Sequence, residues 1–218
     1  MRRNFLGILI LGLFVMTIAW PAVTQAAPDE SRRFDFNVFL NDKKIGTHSF
    51  ELQSRNGVQE VQSNANFKYT ILLIPAYRYE HSNAERWSED CLVEFNAKTN
   101  ANGKKIQVSG KQAGAGFQVV GSDSVVNLPE CVMSFAYWNR SFLQQDQLLN
   151  PQTGEYEDVE VREIGSEKIQ VRGQQTAATR FELTSPNAKL TLWYSSSDEW
   201  VALESTAKGG HIIRYELS

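Results

Sequence analysis

Apolar and polar residues alternate along most of the chain with a period of two, the pattern of β-strands that bury one face. The first run has its apolar residues at every second position: Phe34, Phe36, Val38 and Leu40. Turn-forming sequences, such as NDKK at 41–44 and NANGK at 100–104, separate about a dozen such runs. We therefore predict an all-β fold for residues 27–218, a single domain in which an antiparallel meander forms a curved sheet, a half-barrel or a barrel.

One segment departs from this alternation. Residues 129–147, PECVMSFAYWNRSFLQQDQ, are rich in apolar side chains but show no period of two and contain no glycine. A sheet of about a dozen strands curls because it twists, and its inner face then needs a cover. We therefore predict a short helix or plug near 129–147 that caps or fills the curved sheet.

The N-terminus has the organisation of an export signal. Two arginines precede an uncharged apolar stretch of 16 residues at 5–20, and the small residues Thr24 and Ala26 precede Ala27. A membrane-spanning helix needs about 20 apolar residues, so the stretch favours a signal peptide over an uncleaved anchor. We expect cleavage between Ala26 and Ala27 to remove residues 1–26, which places the mature protein in the periplasm or outside the cell. General secretion is the favoured route, although the start RRNFLG also resembles a twin-arginine signal.

Composition and charge narrow the class of protein. The 218 residues are 42% apolar and 22% charged, with a net charge of −3, which excludes a disordered chain and a polytopic membrane protein. Without residues 1–26 there remain 20 basic and 25 acidic residues, a net charge of −5. This balance predicts no nucleic-acid partner. After cleavage we expect no transmembrane span, and an outer-membrane barrel is disfavoured because many predicted strands have only about 5–7 residues where about 10 are needed.

The two cysteines, Cys91 and Cys131, both lie in the part of the chain that we expect to be exported. In an oxidising compartment an even pair predicts a disulfide. The bond would close a loop of about 40 residues and stabilise the fold by roughly 4 kcal/mol in the chain-entropy model. Two buried thiols or one reactive nucleophile are the alternatives.

The titratable residues form no recognised catalytic or metal-binding motif. The histidines are His48, His81 and His211, and only His81 has a carboxylate four residues away, at Glu85. Such a pair gives two ligands at most, and a metal site needs at least three from the protein. We therefore interpret residues 79–90, YEHSNAERWSED, as a solvated loop beside a strand, and we expect no catalytic residue, no metal site and no cofactor. Two adjacent carboxylate pairs fall in turn-like sequences: Glu89 with Asp90, and Asp198 with Glu199.

Aromatic residues are the most suggestive feature of the composition. The chain has 12 Phe, 7 Tyr and 5 Trp, and three of its polar and aromatic residues stand together at Tyr137, Trp138 and Asn139. Most aromatic side chains of a small β-protein belong to the core. Amphipathic rings beside an amide are also typical of the mouth of a ligand pocket. We predict Tyr137, Trp138 and Asn139 as candidate ligand-binding residues, with a purely structural role as the alternative.

Two central motifs, FAYWN at 135–139 and LLNPQTGEY at 148–156, resemble those of a family of uncharacterised exported bacterial proteins known only as a domain of unknown function. The resemblance extends to FNVFLNDKKIGTHSFEL near the start, and to LWYSSSDEWVALES and GGHIIRYEL near the end. It therefore covers nearly all of the mature chain. It implies secretion and a β-rich fold, and it brings no activity and no catalytic residue.

Together these observations favour a non-enzymatic binding or carrier protein of the periplasm. An apolar inner face around the 129–147 segment would hold a lipid or another apolar small molecule. The alternative is a structural or assembly partner that binds another protein of the cell envelope, through sheet edges or through the YWNRSF surface at 137–142. An enzyme that uses His81, Glu85 or a carboxylate pair is the least favoured interpretation.

The predicted export signal leads to a direct measurement. Expression of the full chain in a bacterial host should yield a periplasmic protein whose intact mass and first residues correspond to a start at Ala27. Replacing Ala26 by Arg should abolish this processing, because the residue at −1 of the cleavage site must be small. A mature protein that retains its apolar N-terminus would show that residues 1–26 act as an anchor.

Overall fold

The fold is one large curved antiparallel sheet, which confirms the predicted all-β class. The computed structural model of the protein describes residues 30–71, 74–122, 124–206 and 210–218. Thirteen strands form the main sheet and two short strands, β9 and β10, form a separate ribbon. The strands are β1 (Glu30–Leu40), β2 (Lys43–Arg55), β3 (Val58–Ile71), β4 (Ile74–Ser88), β5 (Cys91–Ala101), β6 (Lys104–Ala113), β7 (Gly116–Val120), β8 (Val125–Leu128), β9 (Gln147–Leu149), β10 (Tyr156–Asp158), β11 (Glu160–Val171), β12 (Gln174–Thr184), β13 (Lys189–Ser195), β14 (Trp200–Thr206) and β15 (Ile212–Leu217).

The order of the strands in the sheet differs from their order in the sequence. The sheet reads from β11 to β15 and continues from β1 to β8, because β15 pairs with β1. This junction places Phe36 opposite Leu217 and Val38 opposite Tyr215. The two edges of the sheet, β8 and β11, therefore come from the middle of the sequence, and residues 129–159, here called the connector, join them.

Tight turns separate many neighbouring strands, as their sequences predict. Asn56 and Gly57 have φ angles of 51° and 77°, and Asn102 and Gly103 have φ angles of 52° and 88°. Two successive positive φ angles define the hairpin turn that matches the twist of the flanking strands, and Asn-Gly is the sequence that adopts it at lowest cost. The register of these hairpins is thereby set locally.

The inner face of the sheet carries the core. Large aromatic side chains from distant strands meet there: the rings of Phe36 and Trp200 have centroids 4.1 Å apart, and Phe50 approaches Trp200 at 5.2 Å. Trp87 and Trp200 are at most 1% exposed. Burial of rings of this size supplies much of the hydrophobic stabilisation of a β-protein. The twist of the sheet thus closes its apolar face around these rings.

Several strands are longer than the sequence pattern predicts. The segment 79–90, interpreted as a solvated loop, is instead the second half of β4 and its turn, and the expectation of a loop there is wrong. Strand β4 spans 15 residues and β3 spans 14. The alternation continues through 79–88, but polar side chains take the inward positions, so hydrophobicity does not reveal it. The short strands predicted from the sequence are therefore no longer evidence for or against any class of β-protein.

The connector fills the inside of the curved sheet with little regular structure. In place of the predicted short helix it has one 3-10 turn at Arg140–Gln144, whose N-cap is Asn139. Before that turn its backbone pairs with β5 and with the later part of the connector: the N–H of Leu92 donates to the Val132 carbonyl at 2.9 Å, and the N–H of Leu149 donates to the Met133 carbonyl at 2.8 Å. Backbone groups engaged in this way are unavailable for a helix. Its apolar side chains are buried as a plug requires: Val132, Met133, Ala136, Trp138, Phe142, Leu148 and Leu149.

A disulfide ties the start of the connector to the sheet. The Sγ atoms of Cys91, at the beginning of β5, and Cys131 are bonded, and no free cysteine occurs in the described residues. The predicted pairing is therefore present, and neither sulfur is a free thiol. The bond and the Leu92–Val132 hydrogen bond lie side by side, so they attach the connector at one point.

Part of the sequence prediction falls outside the described residues. The signal peptide at 1–26 and the Ala26–Ala27 cleavage site lie there. Among the residues that the structure describes, no helix has the length and apolar character needed to cross a membrane.

We expect Cys131→Ser to lower the free energy of unfolding by about 4 kcal/mol, because the disulfide spans 40 residues of sequence. Urea denaturation followed by tryptophan fluorescence measures the change. The double variant Cys91→Ser, Cys131→Ser should be no less stable than the single variant, and wild-type protein treated with dithiothreitol should match both. A reduced protein as stable as the oxidised one would contradict this assignment.

Candidate functional site

A cavity of about 240 Å³ lies between the inner face of the sheet and the connector. Strands β2, β3, β4 and β15 form one side, and the connector together with Ala188 of the β12–β13 turn forms the other. Six lining side chains are aromatic: Phe50, Tyr79, Phe135, Tyr137, Trp138 and Tyr215. Seven carry other hydrogen-bonding groups: His48, Ser63, His81, Asn83, Glu85, Asn150 and Gln152. The lining is thus mixed, where the sequence predicted an apolar inner face.

A second depression, of about 1040 Å³, is wider and more open to solvent. Half of its sixteen lining residues are exposed, for example Asn64, Lys98 and Gln107. Groups that already face water gain little from a ligand that replaces that water. The interior cavity, where polar groups are withdrawn from solvent, is therefore the stronger candidate for a site.

Strand β4 supplies the polar wall of the cavity. Five successive inward positions carry a polar atom: Tyr79, His81, Asn83, Glu85 and Trp87. On the inner side of a sheet such atoms need hydrogen-bond partners, because an unpaired buried polar group costs about 1–3 kcal/mol. The partners come from within β4 itself, from the connector and, for His81, from Thr99 on β5.

Glu85 is the central group of this wall. Its carboxylate is 6% exposed and accepts three hydrogen bonds, from Asn83 Nδ2 at 2.8 Å, Trp87 Nε1 at 3.0 Å and Ser134 Oγ at 3.1 Å. None of these donors is a cation. Burial raises the pKa of Glu85, and the three hydrogen bonds oppose that rise. Ser134 belongs to the connector, so this carboxylate also attaches the connector to β4.

Asn83 has a buried atom that its surroundings leave unpaired. Its Nδ2 is used by Glu85, whereas its Oδ1 is buried and has no hydrogen-bond partner. Asn83 is 7% exposed and lines the cavity. The amide therefore brings an acceptor into the cavity wall whose hydrogen bond is still to be made.

His48 of β2 lies among aromatic rings. Its Nε2 is 2.7 Å from Ser63 Oγ, and its ring stacks on Phe50 with centroids 4.2 Å apart. Burial is the main cause that lowers the pKa of His48 to about 3, and His81 adds to the effect. His48 is therefore neutral at physiological pH, as a hydrogen-bonding group rather than a charge.

His81 occupies the next inward position of β4 from Asn83. Its Nδ1 is 2.8 Å from the hydroxyl of Thr99 on β5, and burial lowers the pKa of His81 to about 4. Four residues along a strand cover about 13 Å, so His81 and Glu85 lie on one face but too far apart to share a metal ion. Among the described residues no group of three or more His, Cys, Asp or Glu could hold a metal.

The connector residues predicted as ligand-binding take different positions. Tyr137 and Trp138 both line the cavity. The Tyr137 ring packs on Trp200 with centroids 5.2 Å apart, and the Trp138 ring packs edge-on against Trp87 at 5.4 Å. Asn139 does not line the cavity.

The Asn139 side chain is used within the fold. Its Oδ1 accepts from the N–H of Ser141 at 3.0 Å, and its Nδ2 donates to Asp90 Oδ1 at 2.8 Å. The adjacent acids of the sequence analysis are equally engaged on the surface, where Asp198 pairs with Arg140 and Glu199 lies 3.8 Å from Arg172. None of these acids lines the cavity.

Sequence reasoning missed the residues that make the cavity polar. His48, Ser63 and Asn83 come from the consecutive strands β2, β3 and β4. Tyr215 joins them only because β15 pairs with β1, and nothing local in the sequence signals that junction. A usable signal was present in β4: a strict alternation of Tyr79, His81, Asn83, Glu85 and Trp87 with more exposed residues. This alternation is recognised only when every second residue is grouped by its position, whether its side chain is polar or apolar.

Comparisons with known proteins place the fold but no activity. The family model described as "Domain of unknown function (DUF6134)" matches residues 36–218. No curated protein matches the chain. Among solved structures the chain is similar to a β-barrel-like protein of domain of unknown function DUF1849 from Brucella abortus, with a TM-score of 0.61, 6% sequence identity, and 87% of this chain and 95% of that chain covered. At that identity the likeness concerns the fold alone.

The buried imidazoles predict a specific pH dependence of stability. An unfolded histidine has a pKa of about 6.5, whereas that of His81 in the fold is about 4. Between these values the unfolded state binds more protons, so the free energy of unfolding falls as the pH falls from 6.5 to 4, and the stabilisation is complete above pH 6.5. We expect His81→Gln to remove on the order of 2 kcal/mol of this loss.

Thermal melts at intervals between pH 4 and pH 7 measure that effect as a shallower decline of Tm. His211→Gln provides the control, because His211 is exposed. The raised pKa of Glu85 acts in the opposite direction, so the comparison is between variants and not between absolute slopes. A wild-type slope in His81→Gln would rule out a buried neutral imidazole at position 81.

Proposed function

The chain belongs to the DUF6134 family, a domain of unknown function, and from its interior cavity we propose that it is a non-enzymatic binding protein for a small molecule with an apolar body and a hydrogen-bonding group. The observation that carries this proposal is the mixed lining of the cavity. Aromatic rings surround a few buried polar groups, which is the usual composition of a small-molecule site. The unpaired Oδ1 of Asn83 gives such a molecule a specific point of attachment.

The size of the cavity limits the ligand. Its volume of about 240 Å³ lies below the roughly 300–1,000 Å³ of sites for drug-sized molecules. A whole lipid is too large for it. Of the ligand classes expected from the sequence, a small apolar molecule or the end of one acyl chain fits better than a complete lipid.

Export to the periplasm is part of the same proposal. It rests on the N-terminal pattern at 1–26 and on the two cysteines, which pair as they would in an oxidising compartment. A binding protein in that compartment acts as a carrier or a buffer for its ligand. No group of the cavity is needed as a nucleophile or as a metal ligand for that role.

A second function, assembly with another envelope protein, is supported by one edge of the sheet. Val125 and Val126 of β8 are 60% and 43% exposed, and Val120 of the neighbouring β7 is 42% exposed. An edge strand with exposed β-branched residues and no charge is able to pair with a strand of another chain. This edge is the site to test if the cavity binds nothing.

Ligand-observed NMR with a mixture of monosubstituted benzenes and six- to eight-carbon aliphatic alcohols tests the proposal. We expect some of these molecules to bind the wild type with at most millimolar Kd, because each fits the cavity and carries one polar group. Ala188→Phe should abolish the signal by filling the cavity from a turn. Ala115→Phe, a matched change in the exposed β6–β7 turn, should not. No binding, or binding that persists in Ala188→Phe, would contradict the proposal.

A further inference from the structure

The charges that line the cavity are unbalanced. Glu85 is the one carboxyl group among its lining residues, all of which the structure describes, and that lining contains no lysine or arginine. The two imidazoles, His48 and His81, are neutral because burial holds each pKa near 3 or 4. The cavity lining therefore offers a carboxyl group and no positively charged counterpart.

A second buried carboxyl lies beside the same cavity. Glu157 is 5% exposed, and its oxygens accept from Ser185 Oγ at 2.6 Å and from Asn150 Nδ2 at 3.0 Å. Asn150 is itself part of the cavity wall. As at Glu85, the donors are neutral, so both acids favour a positive charge in the cavity.

The unpaired polar atom of the cavity wall also favours a ligand that donates a hydrogen bond. Asn83 Oδ1 is an acceptor, so only a ligand with an N–H or O–H group satisfies it. Its amide is bonded through Nδ2 to the carboxylate of Glu85, which favours the orientation that presents oxygen to the cavity. A donor that is also positively charged gains from both groups at once.

The aromatic walls complete the pattern. The faces of Tyr, Trp and Phe rings attract cations. Phe135, Tyr137 and Trp138 of the connector line the cavity together with Phe50 and Tyr79 of the sheet. An anionic ligand would meet these rings and the carboxyl of Glu85, with no Lys or Arg in the lining to receive it.

From these three observations we infer that the cavity selects small organic ammonium ions, bound through an N–H group to Asn83 Oδ1, with the carboxyl of Glu85 as the main counter-charge. The inference rests on the proposed binding function and names its ligand class. A primary or secondary ammonium group on a compact apolar body meets every requirement of the site. A quaternary ammonium ion lacks the N–H group that Asn83 requires.

Three probes that share one ring and one chain length separate the possibilities: benzylammonium, benzyl alcohol and benzoate. Titration calorimetry at pH 7 on the purified chain, with its disulfide intact, should give benzylammonium a Kd at least tenfold below that of benzyl alcohol, and no measurable binding of benzoate. This ranking is made on the wild type and does not depend on the folding of any variant.

Two variants then assign the effect to residues. Glu85→Gln keeps the shape of the side chain and should weaken benzylammonium about tenfold while benzyl alcohol changes less than twofold. Glu60→Gln, an exposed acid on the outer face of β3, is the matched control and should change neither. Thermal melts establish that both variants are folded.

The outcomes distinguish the inference from the proposed function. Benzyl alcohol or benzoate bound as tightly as benzylammonium would overturn the selection for cations and leave a small-molecule site in place. Equal loss of benzylammonium in Glu85→Gln and Glu60→Gln would overturn the role of Glu85. Binding of none of the three probes would overturn both the ligand class and the cavity as a site for molecules of this size.

Discussion

The pairing of the last strand with the first is the constraint on which the rest of the structure depends. Once β15 lies beside β1, the sheet is continuous through the two ends of the described chain, and its free edges must come from the middle of the sequence. The connector must then pass from β8 to β11. An apolar segment on that path is stable only against the inner face of the sheet, where its side chains are indeed buried.

The cavity follows from the way this connector is attached. It is bound at its start by the Cys91–Cys131 disulfide and by Ser134 to Glu85, and near its end by Glu157 to Ser185. Between these points it is held by side chains and not by a continuous strand ladder. An irregular backbone against a regular sheet leaves gaps, and the side chains around the cavity are rings and short polar groups that do not fill it.

The predictable part of this structure is local, and the unpredicted part depends on distant pairing. Asn102–Gly103 specifies its hairpin by itself, and the missing alternation at 129–147 identifies the segment that fills the sheet. The disulfide was also predictable, because an even number of cysteines in a chain expected to be exported favours pairing. By contrast, His48 and Tyr215 meet across 167 residues of sequence, through a junction that no local pattern signals.

Strand β4 shows why the candidate site in particular escaped the sequence. Hydrophobic periodicity identifies a buried strand face because buried residues are usually apolar. Where a strand carries a functional surface inward, the buried residues are polar, and the same rule assigns a loop, as it did for the segment that holds Asn83 and Glu85. Local disagreement between pattern and structure is therefore itself a pointer to function.

Attachment of the connector alone does not account for the chemistry of Glu85. A neutral amide at that position would hold Ser134 with a hydrogen bond and would avoid the cost of desolvating a carboxylate, which is several kcal/mol without a cationic partner. Three neutral donors reduce this cost without removing it, which is why the pKa of Glu85 is raised. The described part of the chain places no cation beside this carboxyl, so a cationic ligand would supply the opposite charge and lower the cost of its burial. The carboxyl on the inner face of β4 then has two effects: its desolvation lowers the stability of the fold, and its attraction for a cation favours binding of the ligand.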